Sequence, residues 1–170
     1  ALFEETGRYI AMRFLVKPMD FPNAFMYGAG HGGVEAMLLC GVASISNIAS
    51  AVMINSGTMS AQLASLDAKK AADTAAALSA LWTTPSLTFF AGGVERIIAV
   101  VLHLSLSILV FQSIRKKSQK DLLNAYLFHF VIDSLSVLLS AVASVWVVEL
   151  VTALVTGGAV LMAKYACMEE

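Results

Sequence analysis

The chain has 170 residues, 58% of them hydrophobic and only 14% charged, with a formal net charge of −1 and a mean hydropathy of +0.77. That balance excludes an ordinary soluble domain and predicts an integral membrane protein, an all-α polytopic transmembrane helical bundle. No basic patch interleaved with aromatic residues occurs, so nucleic acid is not an expected partner, while the lipid bilayer is.

A membrane-spanning helix needs about 20 predominantly apolar residues. Taken in chain order, residues 1–17 read as the end of a helix, stopped at Pro18 and the turn that runs to Asn23. Residues 24–54 form the first complete span. Residues 55–84 are polar and alanine-rich, with Asp67, Lys69, Lys70 and Asp73, and read as a solvated or interfacial helix that connects spans. Pro85 then opens a second span over 86–114 at a favoured first-turn position. The third and fourth spans cover 122–142 and 145–166. The expected organisation is one membrane-embedded domain over 1–170. The chain begins inside a motif and shows no signal-peptide pattern, which predicts a piece of a longer protein with further spans ahead of it. Arg13, Lys17, Arg115, Lys116, Lys117, Lys120 and Lys164 all fall on one side of the predicted topology, which places that side and the C-terminus in the cytoplasm.

Ionisable residues inside apolar spans are costly and usually face a bundle interior, a partner or water. Five groups do so here: Glu4-Glu5-x-x-Arg8, His31-x-x-x-Glu35, Glu95-Arg96, His103, and His129-x-x-x-Asp133. At about 1.5 Å per residue, Glu5 lies roughly 12 Å from Arg13, Glu35 roughly 16 Å from Ala24, and His103 roughly 18 Å from Arg115. His129 and Asp133 lie roughly 12–18 Å from Asp121 on the same reckoning. Four helices therefore deliver polar groups to one level, with Glu95 about two turns further out.

The spacing of the first motif puts Arg8 within a turn of both carboxylates, so it can pair with one and leave the other for chemistry. A helix-end ion pair uses the same pattern. Gly28 and Gly32 flank His31 at the spacing that lets helices approach closely, and His31 and Glu35 share a helix face, where they can position water, bind a metal or relay a proton. Asp133 can hold one ring nitrogen of His129 and set its tautomer. Glu95 and Arg96 read as an ion pair closing the bundle, or as a contact to another helix through Arg96. Cys40 and Cys167 show no C-x-x-C spacing, and neither an H-E-x-x-H helix, a G-x-S-x-G elbow nor a phosphate loop is found.

The ordered set E-E-x-x-R, G-H-G-G-x-E, G-G-x-E-R with a later histidine, and H-x-x-x-D, over Glu4 to Asp133, resembles the YhfC family of membrane peptidases. That family is similar to the PrsW proteases and, more remotely, to the CAAX prenyl protease and bacteriocin-processing superfamily. The resemblance implies an intramembrane protease of a bacterial cytoplasmic membrane acting on membrane-associated polypeptides, with a water-activating glutamate at Glu4 or Glu5 and with Glu35, His103 and His129 around the site. Arg8, His31 and Asp133 support them. Two chemistries use these residues: metal-free glutamate catalysis with an oxyanion held by histidines, and a zinc ion held by Glu35, His103 and His129. A proton- or metal-coupled transporter would use the same buried groups, although no internal repeat supports it. A non-catalytic membrane subunit would not need the motifs intact.

Overall fold

In the computed structural model, which describes residues 1–168, every regular element is helical. Helix α1 (Leu2–Ile10) continues into a π-helical segment, Ala11–Leu15. Helix α2 (Phe21–Ala36), a second π segment (Met37–Gly41) and α3 (Val42–Asn55) form one 35-residue run. Then come α4 (Thr58–Ala64), α5 (Ala68–Thr83), α6 (Ser86–Lys116), α7 (Gln119–Ser140) and α8 (Val145–Met168). The α2–α3 run, α6, α7 and α8 are each long and apolar enough to cross a membrane.

Local chemistry places the helix ends. The run begins at Phe21 rather than Ala24 because the Asp20 carboxylate accepts the Asn23 backbone N–H at 3.0 Å, capping the first turn. The connector is two helices, not one. Gly57 (φ +78°) starts α4, and Asp67 caps α5 by accepting from the Lys70 N–H at 2.9 Å. Lys70 holds the Asp67 carboxyl below its usual range, first through this backbone N–H and then through its side chain. Pro85 sits just ahead of α6, where its carbonyl accepts the Thr88 N–H. Lys117 adopts the left-handed conformation that ends α6, and Ser118 caps α7.

Two compact units divide the chain: Ala1–Ala36 with the chain from Val94 onward, and Met37–Gly93. In the second, α3, α4 and α5 pack on one another. The first contains the polar centre. There α7 packs along α8 and α1 against α7, over a core of Met12, Leu102, Leu106, Leu109, Ala125 and Ala159. Helix α1 is inverted relative to a helix of a soluble protein: Glu5 and Arg8 are buried while Leu2, Phe3 and Ile10 are exposed. Gly28 and Gly32 let α2 close on α6. A Cβ at Gly28 would lie 2.9 Å from the Leu104 Cα, and one at Gly32 3.0 Å from the Val100 Cα.

Candidate active site

Helices α1, α2, α6 and α7 bring their motifs together. Arg8, fully buried, is the hub: it pairs with Glu5 at 3.1 Å and donates to the His103 carbonyl and to His103 Nδ1, each at 2.8 Å. It also donates to Ser107 Oγ. Glu5 Oε1 in turn lies 2.7 Å from His129 Nδ1. Glu35 is held from two sides, by His103 Nε2 at 2.7 Å and by Arg96 at 3.2 Å, and Arg96 also bonds Glu95. The Glu95-Arg96 pair therefore joins the cluster through Arg96.

Glu4 stands apart from its neighbour. Its side chain is 44% exposed, and its Oε2 lies 3.6 Å from His31 Nε2 and 3.5 Å from His129 Nε2. The double carboxylate is thus divided, with Glu5 tied to Arg8 and His129 and Glu4 facing two imidazoles. His31 turns to Glu4 rather than to Glu35. Asp133 Oδ1 is 3.7 Å from His129 Nε2, beyond a hydrogen bond. Glu5, not Asp133, is the carboxylate bonded to the His129 ring, because α1 brings it to Nδ1 while the i+4 carboxylate falls short of Nε2.

Donor inventory fixes the two inner imidazoles in opposite states. Arginine has donors only, so His103 Nδ1 must accept from Arg8, and its Nε2–H then donates to Glu35. A carboxylate paired with arginine accepts only, so His129 Nδ1–H donates to Glu5 and leaves the Nε2 lone pair facing Glu4 and Asp133. The His31 and His103 rings are 4.7 Å apart and the His103 and His129 rings 5.4 Å.

A divalent metal fits these donors, but not all of them equally. Single ligand atoms of Glu4, His31, Glu35 and His103 lie within 4.8 Å of one another, yet the lone pair of His103 is taken by Arg8 and both Glu35 oxygens are hydrogen-bonded. Two donors bound to zinc at about 2.0 Å in tetrahedral geometry stand about 3.3 Å apart. The 3.5 and 3.6 Å separations of Glu4 from His129 and His31 come close to that, although His129 stands outside the four-residue group whose donor atoms all lie near one another, whereas the 2.7 Å between Glu35 and His103 is a hydrogen bond. Beside these groups lies a cavity of about 90 Å³, lined among others by Glu35, His103, His129, Asp133, Ser136 and Thr152. A polar-lined cavity of that size admits water.

Helix α8 adds residues the motifs do not include. Glu149, Thr152 and Thr156 are buried on one face, and Thr152 reaches the cavity. An acidic residue inside the fourth apolar span was the available signal for Glu149. Ser107, one turn after His103, shows no such signal.

Residues 1–152 match the family described as YhfC intramembrane metalloprotease, and the chain belongs to that family. It is 40% identical, over 129 residues, to the uncharacterized membrane protein YhfC of Bacillus subtilis (strain 168). The match covers 75% of this chain and 49% of that protein, so the chain spans about half the length of the curated relative it matches. No solved structure matches.

Proposed function

We propose that this chain carries the catalytic centre of an intramembrane peptidase, in which Glu4, His31 and His129 would hold the divalent metal implied by the family's description and Glu35 handles the proton of the attacking water. The observation that carries this reading is Glu4 Oε2 set 3.6 and 3.5 Å from two imidazole Nε2 atoms. Three donors leave a position open, as catalytic zinc sites do. When bound, the ion would supply Lewis-acid polarisation of a peptide carbonyl and easier ionisation of water.

The remaining work falls to the chain's own residues. Glu5 accepts the Nδ1–H of His129, which orients the ring and raises its basicity. Arg8 pairs with Glu5 and, by donating to His103 Nδ1, leaves the Nε2–H of that ring to face Glu35. His103 and Arg96 fix Glu35 at the edge of the water-sized cavity, within reach of a proton from water. The buried surroundings of Glu5, Arg8 and His129 strengthen the interactions among them. A membrane-associated polypeptide is the substrate class that such a centre serves.

Metal analysis and cleavage assays on the full-length protein test the division of labour. Glu4→Gln and His129→Ala should lose both bound metal and cleavage of a membrane-anchored reporter peptide. Glu35→Gln should keep its metal yet lose roughly 10²–10⁴-fold in cleavage rate, the usual contribution of a general base. His103→Ala should also retain metal. Full metal content in Glu4→Gln and His129→Ala, or full cleavage in Glu35→Gln, would refute the assignment. Loss of proton-driven uptake in these variants, with no reporter ever cut, would favour transport instead.

A further inference from the structure

We infer that the lysine- and arginine-rich end of the first unit holds a binding pocket for the phosphodiester headgroup of an anionic phospholipid. The pocket is separate from the polar centre and encloses about 250 Å³ between the end of the α1 segment, the end of α6 and the start of α7. Arg13, Lys117 and Ser118 are among its polar lining residues, and Ile114 and Leu122 are its apolar ones.

Three observations support this occupant. First, the two cations come from different elements and converge on one cavity, and among the described residues the side chain of neither Arg13 nor Lys117 makes a hydrogen bond or ion pair. That contrasts with Arg8, which pairs with Glu5, and Arg96, which pairs with Glu35 and Glu95. Both side chains are solvent-exposed, so an anion can engage them without displacing a protein partner, and Arg13 adds the planar donor fork that suits phosphate oxygens. Second, the hydroxyl oxygen of Ser118 already accepts from the Asp121 N–H, so its proton is left to donate into the pocket. Third, the lining is amphipathic. Ile114 and Leu122 lie beside the cations, and the neighbouring Phe14, Leu15 and Leu123 are exposed. A free inorganic anion has no use for that apolar border, whereas a lipid lays its glycerol and acyl chain there. The pocket lies at the ends of spans, on the side that the distribution of charge predicts to be cytoplasmic, where basic pockets between helices recognise anionic headgroups.

The test uses the full-length protein reconstituted in phosphatidylcholine nanodiscs containing a minor fraction of phosphatidylglycerol, with lipid retention on release read by native mass spectrometry. Retention of phosphatidylglycerol over phosphatidylcholine is expected, and the double change Arg13→Gln, Lys117→Gln should weaken it about 30-fold, on the order of what two interfacial cations contribute. Arg13→Lys, which keeps the charge, should retain most of the binding, and Lys69→Gln with Lys70→Gln should change nothing. Undiminished phosphatidylglycerol retention in the double variant, or equal retention of both lipids by the unchanged protein, overturns the proposal. A third arm adds inorganic phosphate to lipid-depleted protein. Thermal stabilisation as large as that given by phosphatidylglycerol would mark a soluble-anion site and overturn the lipid assignment.

Discussion

Two ion pairs of the same spacing and length sit in different regions of this chain. Arg8 and Glu5 are three residues apart on α1, with N and O 3.1 Å apart; Lys70 and Asp67 are three residues apart at the start of α5, also at 3.1 Å. The first pair is 0% exposed on both sides, while the second is 73% and 55% exposed. Geometry alone would rank them equal. Burial separates them, because water and salt screen the exposed pair, whereas the buried charges depend wholly on protein partners. This is why the α1 pair is embedded in a network with His103, Ser107 and His129 while the α5 pair bonds only within its own first turn. A charge placed inside the bundle must be answered on every side, and the answering groups become the site.

Removing one member of each pair should break the equivalence most visibly. Arg8→Gln leaves Glu5 buried without its cation and unties His103, with an expected loss of about 3–5 kcal/mol of stability. Thermal unfolding of detergent-solubilised protein would measure it. Lys70→Gln, at the same spacing, should leave the midpoint unchanged within error. If both variants melt alike, burial is not what distinguishes the pairs. Arg8→Met combined with Glu5→Leu should recover part of the loss, since an apolar replacement leaves no orphaned charge, but it should abolish the orientation of His129 and with it metal retention.

A second contrast moves from charge to packing and predicts a smaller effect. Gly28 and Gly30 lie on the same helix two residues apart. A Cβ at Gly28 would meet the Leu104 backbone and Ser107 Oγ at 2.9 Å, while one at Gly30 would meet nothing within 4 Å. Gly28→Ala should therefore push α2 away from α6 at a cost of about 1–3 kcal/mol, typical of an overpacked interface. Gly30→Ala should be neutral or slightly stabilising. Equal effects at both positions would mean that the glycines serve the helix backbone and not the α2–α6 approach.

The sequence made the spans legible because apolar length is a local property, and the polar cluster legible because ionisable residues in spans are rare. Which residue does what was not legible. Glu4 and Glu5 are adjacent and chemically equivalent in the sequence; only the rotation of α1 against α6 and α7 buries one and leaves the other facing His31. The opposite tautomers of His103 and His129 depend on Arg8 reaching a residue 95 positions away and on Glu5 reaching one 124 positions away, contacts that no spacing rule contains. Asp133 illustrates the reverse error, since an i+4 neighbour on a helix is close by construction yet need not point at the ring nitrogen. The connector 55–84 divides into two helices through a Gly57 turn and an Asp67 cap, features small enough to vanish within an alanine-rich composition.

The smallest effect belongs to the exposed pair and concerns pH. The folded-state pKa of Asp67 is lowered, principally by the Lys70 backbone N–H and then by the Lys70 side chain. A depressed carboxyl contributes its stabilisation fully above the unfolded value and loses it as pH falls through the folded one. At neutral pH the first turn of α5 should thus be capped, and it should loosen only under strongly acidic conditions, below the ordinary aspartate range. Hydrogen exchange of the Lys70 and Ala71 amides follows this directly, once corrected for the intrinsic pH dependence of exchange: protection should fall on acidification in the unchanged protein. Asp67→Ala should show the low protection at every pH. The Arg8 network should keep its protection across the same range, because both members of its pair are fully buried and tied to partners on other helices. Parallel loss of protection in α1 and α5 would mean that the two pairs, equal in length, are also equal in environment.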